Sequence, residues 1–251
     1  MSQRIWMVLS VLACTAAVAA GAPATRPASQ PLSEPPKGVD AGLWSRMLEV
    51  DARAGKIEAL VADFEQEKHT ALLRKPLISS GTVRIKGSMI RWDTRQPHPS
   101  TLLITERDVR IFYPDPPPGV VEIYNLDQRV GELAASPLPR LAVLKDRFRF
   151  QQIPVHEMDP QTREDAFLAL KMTPSDAQIA QHVQEVRVLL DVAAGYIVRA
   201  EMTDADGDRT VLKFSHVKVG SDPGDLELKV PPGVKVTRPL EGLEGRGNPS
   251  T

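Results

Sequence analysis

The chain has 251 residues, 42% of them hydrophobic, with 31 Lys and Arg against 32 Asp and Glu for a formal charge of −1. With both signs interspersed, no basic stripe advertises nucleic acid or an anionic membrane surface, so bulk electrostatics names no partner. The single cysteine, Cys14, lies in an apolar leader and excludes a disulfide framework.

Arg4, an uncharged apolar run from Ile5 to Val18 and the small residues Ala19 and Ala20 have the order of a secretory signal peptide over residues 1–20, with cleavage expected after Ala20. The sequence thus predicts export, and loss of Arg4 takes the formal charge from −1 to −2. The alternative is that Val11-Leu12-Ala13-Cys14 acts as a lipobox and Cys14 is lipidated, which would anchor the domain. A mature chain cut after Ala20 has no thiol. No later segment approaches about 18 consecutive apolar residues, the length a spanning helix needs.

Residues 21–38 contain APATRPASQPLSEPP, with five prolines from Ala22 to Pro36, a composition of extended, solvated tethers. The domain is expected over residues 39–238, and about 200 residues suffice for one sizeable core. Gly38 to Ala54 reads as an amphipathic helix: Asp40 is placed to cap it, Leu43, Met47, Val50 and Ala54 share a stripe, and Gly55 ends it. From Ile57 to Leu73 the period changes to two, with Leu60, Ala62 and Phe64 on one face and Asp63, Glu65 and Glu67 on the other.

Short alternating runs follow at Thr82–Lys86, Met89–Asp93, Leu102–Thr105, Val109–Tyr113 and Val120–Leu126, separated by Pro97, Pro99 and the Pro114 to Gly119 stretch. Between Gln128 and Leu144 the alternation stops. Leu133, Leu138, Leu141 and Leu144 stand at roughly helical spacing, but Pro137 and Pro139 interrupt it, which predicts a broken helix or lid-like excursion. Strands are predicted again at Phe148–Ile153, Ala166–Met172, Val183–Asp191, Tyr196–Thr203, Thr210–Val217 and Leu226–Val230. Residues 239–251 have the composition of a disordered tail.

Little in this chain points to catalysis. Asp204, Asp206 and Asp208 resemble the start of a calcium loop, but no acid follows at the position a bidentate ligand would need. A tight Asp-Gly hairpin turn is the reading adopted. His69, His98, His156, His182 and His216 are scattered without metal-ligand spacing, and GxSxG, P-loop and dinucleotide motifs are absent. The sequence therefore predicts a non-enzyme with no metal and no cofactor. The apolar strand faces have two readings, a core packed against helices or a surface that receives an apolar ligand.

The order of these elements resembles the LolA/LolB-type periplasmic carriers of outer-membrane lipoproteins. The likeness rests on the helix, then Phe64-Glu65-Gln66, Gly81, Ile90-Arg91-Trp92, Gln96-Pro97 and Ile111-Phe112-Tyr113-Pro114. It continues with Gly207, Phe214 to Val217 and Pro231-Pro232-Gly233-Val234. The resemblance implies an α+β fold, in which a strongly curved antiparallel sheet forms an incomplete β-barrel closed by lid helices over an apolar cavity. By position, Leu60, Phe64, Val83, Ile85, Ile90, Trp92, Leu103, Ile111 and Tyr113 would line that cavity, and Leu133, Leu138, Leu141 and Leu144 would belong to the lid.

The family carries an Arg-Pro pair before its aromatic strand whose arginine hydrogen-bonds the lid. Here the aligned position is Lys86 or Gly87 and the proline is missing, so Lys86 is the candidate latch. The implied function is to bind the acyl chains of lipoproteins and shuttle them toward the outer membrane, as a monomer that meets membrane donor and acceptor proteins. The alternative is a sensor or anchored acceptor with the same fold that binds lipid or lipoprotein without shuttling it.

Overall fold

The computed structural model describes residues 34–124, 136–162 and 165–239. The leader with Cys14, most of the tether, Leu133 and nearly all of the tail lie outside the described residues. The first element is helix α1 (Ala41–Ala54), capped as its sequence predicts: the Asp40 carboxylate accepts from Leu43 N, and Gly55 closes the other end. Its buried stripe is Leu43, Trp44, Met47, Val50 and Ala54.

Twelve strands follow among the described residues: β1 (Ala59–His69), β2 (Leu77–Lys86), β3 (Met89–Gln96), β4 (Ser100–Ile104), β5 (Val109–Tyr113), β6 (Val120–Tyr124), β7 (Phe148–Ile153), β8 (Phe167–Pro174), β9 (Val183–Asp191), β10 (Tyr196–Asp204), β11 (Arg209–Val219) and β12 (Lys235–Thr237). They form one sheet in the order β12-β6-β5-β4-β3-β2-β1-β11-β10-β9-β8-β7. Every pairing is antiparallel except the short parallel contact of β12 with β6. β7 and β12 are the two edges, so the curved sheet is an unclosed barrel.

Pairing registers set the faces, because residues directly opposite share a side. Ile85, Ile90, Ile104 and Val109 are aligned across β2 to β5, as are Val83, Trp92, Leu102 and Ile111. On the other half, Phe150, Met172 and Val186 are aligned, and Phe64 stands opposite Phe214. These residues share one buried cluster with Leu43, Trp44, Met47 and Val50 of α1, so the helix lies in the concavity. A smaller cluster, Ile153, Val155, Met158, Ala169 and Leu189, forms on the opposite face beneath the 3-10 turn Val155–Glu157.

One expectation is corrected here. Leu226–Val230 is not a strand: residues 221–230 run irregularly across the outer face, where Arg84 donates to Pro223 O at 3.2 Å and Arg91 to Glu227 O at 2.5 Å. Their alternation reflects a strap with Pro223 and Leu226 buried, instead of a ladder. The Gln128 to Leu144 segment, expected as a broken helix or lid-like excursion, contains where described a 3-10 turn at Leu141–Leu144. Pro137 and Pro139, just before the turn, each lack a backbone donor and fix their φ. The DADGDR segment is a tight turn: Asp204 Oδ1 accepts from Asp206 N and Asp208 N, and Gly207 takes φ +87.

Candidate functional site: the concave face and its lid

Aromatic rings occupy the middle of the concave face. Phe64 meets Trp92 edge-on at 4.7 Å between centroids, and Trp92 lies 5.8 Å from Phe214, distances at which ring quadrupoles favour tilted contacts. Gly81 permits this approach: a Cβ there would sit 2.0 Å from Asp93 O and 2.8 Å from Phe64 Cε1. Six further sequence-predicted positions come together around the rings, with Leu60, Val83, Ile85, Ile90 and Ile111 buried and Tyr113 half-buried.

Leu103 does not join them. It pairs with Arg91 and Arg110, one step out of phase with Trp92, Leu102 and Ile111, and is buried on the outer face. A one-residue change in phase reverses a strand's faces. In the run Leu102-Leu103-Ile104 all three residues are buried, so alternation carried no signal there, and Leu102 and Ile104 are the concave residues.

In this arrangement protein side chains fill the concavity. Met47 and Val50 of α1 are fully buried against the sheet, and Leu141 is 2% exposed. The expected space for acyl chains is therefore occupied by side chains of α1 and of the 3-10 turn. Polar groups interrupt the apolar surface: Gln66 and Ser79 are buried opposite one another in phase with Phe64, and Glu122 stands opposite Ile111, where Tyr124 Oη donates to its Oε2 at 2.8 Å. Burial and the neighbouring Glu122 carboxylate raise the phenol pKa of Tyr113, and burial with the Glu122 hydrogen bond raises that of Tyr124.

The closing elements are held by few polar contacts. Asp51, on α1, accepts hydrogen bonds from Leu141 N at 2.8 Å and Ala142 N at 2.7 Å, one on each carboxylate oxygen. Arg53 Nη1 donates to Val192 O at 2.6 Å, and Ile197 N to Pro137 O at 2.7 Å. Burial pushes the Asp51 carboxyl above its usual pKa despite the Ala142 and Leu141 amides and the Arg140 charge. Leu138 and Leu144 are half-buried against the main cluster.

Lys86 does not make the lid contact. It is 61% exposed, alternates with buried Ile85, and pairs at 3.8 Å with Asp222 on the outer strap. Sequence reasoning missed Asp51, although a signal existed: Trp44, Met47, Asp51 and Ala54 share helical spacing, so a carboxylate interrupts the apolar stripe.

The outer face has the opposite chemistry. Asp93 accepts from Arg84 Nη2 at 2.7 Å and from Arg91 Nε at 3.0 Å. Burial opposes its ionisation, but the Arg91 and Arg84 hydrogen bonds outweigh that and hold its carboxyl below the usual value. Among the described residues no three His, Cys, Asp or Glu side chains are placed to hold a metal, and no helix is long and apolar enough to cross a membrane.

No curated protein matches the chain. Solved structures with a related fold include MucB, at 13% identity over 74% of this chain with a TM-score of 0.44. Others are the LolA superfamily protein NE2245 of Nitrosomonas europaea (14% identity, 74% of this chain, 96% of that one, TM-score 0.37) and the Mycobacterium tuberculosis lipoprotein LppX (11%, 75%, 100%, 0.40). The chain spans 62% of the MucB chain. The model of the family described as outer membrane lipoprotein carrier protein LolA matches residues 55–226, from the end of α1 to the strap. With more than half its length so matched, and an open antiparallel sheet curved around an apolar face, this chain belongs to the LolA family.

Proposed function

We propose that this protein is an exported, periplasmic carrier that takes the acyl chains of lipoproteins against its concave face and shuttles them toward the outer membrane. The observation that carries the reading is the asymmetry of the closure. Among the described residues, an extended apolar surface, running from Ile90 and Trp92 to Phe150 and Met172, is covered by α1 and the 3-10 turn Leu141–Leu144, with Leu138 and Ile179 also packed against it. Displacing those elements uncovers that face for acyl chains, each buried CH2 contributing about 0.8 kcal/mol. A cover whose open and closed states differ by a few kcal/mol suits loading and release. The chemistry is binding and not turnover, with cargo handed between membrane donor and acceptor proteins.

The test is native mass spectrometry of the protein purified from a periplasm, together with titration by an acyl-chain fluorophore. Bound acylated species, and saturable dye uptake weakened by Trp92→Ala in a folded variant, support the reading. Absence of both acyl ligand and dye uptake by the folded protein refutes it. Intact mass then distinguishes a chain beginning after Ala20, suited to diffusion, from one acylated at Cys14, which would gain membrane affinity.

A further inference from the structure

The loop joining β1 to β2, residues 70–76, is a second apolar surface, remote from the concavity and unlike it in being exposed. Leu72 is 87% exposed, Leu73 45%, Leu77 38% and Ile78 55%. The loop has a defined shape: Leu73 N donates to Thr70 O at 3.1 Å and Leu72 N to Thr70 Oγ1 at 3.3 Å. Leu77 and Ile78 are successive residues of a strand and point to opposite sides of the hairpin. The tip is therefore apolar on both faces.

Charge is also local here. Arg74 and Lys75 sit within the tip, exposed, with no ion-pair partner among the described residues. Of the nearby carboxylates, Glu67 is engaged by Lys213 at 2.7 Å and His69 at 3.3 Å and Asp208 by Lys68 at 3.8 Å, while Asp206 of the β10–β11 turn is exposed. The loop and the β10–β11 turn border one cleft, lined by Leu73 and Arg74 on one side and Gly207 and Arg209 on the other. Two adjacent cations are too short a run to register in the balanced composition, yet they stand beside the four most accessible apolar side chains of this hairpin.

We propose that this tip docks the protein on an anionic lipid surface, the leucines entering the headgroup boundary while Arg74 and Lys75 meet phosphate. Exposed apolar patches mark interaction sites, and the pairing of apolar tip with flanking cations matches an anionic interface. A bilayer fits better than a protein partner because it can surround a tip that is apolar on both sides, whereas a protein would contact one face and leave the other wet.

The test uses the full-length chain carrying Leu72→Trp, mixed with vesicles of phosphatidylcholine alone or with added phosphatidylglycerol. The expected result is a blue shift of the introduced indole's emission, taken as the difference from the unsubstituted chain, with the anionic vesicles and weakened by salt. In flotation assays Leu72→Asp/Leu73→Asp should reduce binding roughly tenfold, and Arg74→Glu/Lys75→Glu by about as much. Unchanged emission from the Leu72→Trp indole with anionic vesicles would overturn the proposal even if the chain floats through residues 1–33, as would a shift equal in both vesicle types. A shift produced by a protein partner but by no vesicle would overturn it in favour of a protein surface.

Discussion

The two faces of one sheet are held by different forces. On the concave side Leu60, Val83 and Ile111 are at most 1% exposed and contact other apolar side chains, so stability there comes from area removed from water. On the convex side of β2 and β3, Asp93, Arg84 and Arg91 form a charge network whose arginines also hold the strap by its carbonyls. Dispersion and hydrophobic contacts are non-directional and survive small displacements, while hydrogen bonds to a strap fix one geometry. The concave side is thus suited to exchanging one apolar occupant for another, and the convex side to keeping the sheet's shape as it does so.

The largest expected effect is at the point where the faces meet. Gly81→Ala drives a methyl into Asp93 O and Phe64, disturbing both sides at once, and should lower stability by about 4 kcal/mol or prevent folding; urea unfolding measures it. Trp92→Ala, confined to the concave side, should cost about 3–5 kcal/mol through the cavity it leaves and should weaken acyl-dye binding at temperatures where the variant remains folded. A convex substitution with the same two effects would break the distinction.

Smaller effects sharpen it. Arg91→Ala removes donors to Asp93, Leu226 O and Glu227 O and should cost about 1–3 kcal/mol, with faster amide exchange in residues 221–230 and dye affinity intact. Asp51→Ala should cost a similar or smaller amount but should loosen the lid, read as faster exchange of the Leu141 and Ala142 amides. The pH dependence has a definite sign. Because the Asp51 pKa is raised in the closed state above 3.8, its contribution favours closure most at acid pH and declines as pH rises from that value through the raised one. Asp51→Asn should flatten this part of the exchange profile. Glu65→Ala, on the exposed side of β1, should change stability by less than about 0.5 kcal/mol and leave dye binding unchanged.

Local chemistry made much of this molecule legible without coordinates. The cap at Asp40, the stripe Leu43, Met47, Val50, the alternation through Leu60, Ala62 and Phe64, and the limits of Val109–Tyr113, Phe148–Ile153 and Val183–Asp191 follow from periodicity and turn residues. Such features depend on neighbours within a few positions, and the side-chain period of a helix or strand is set by backbone geometry alone. Phase was lost where alternation failed: Leu102, Leu103 and Ile104 are equally apolar, and only pairing with Arg91 and Arg110 put Leu103 outside. Tertiary structure alone decided which group receives the Leu141 and Ala142 amides, because Asp51 and Leu141 are 90 residues apart. It likewise decided that Leu226 belongs to a strap across the outer face and that α1 lies in the concavity, since these outcomes depend on chain reversals whose closure no local pattern encodes.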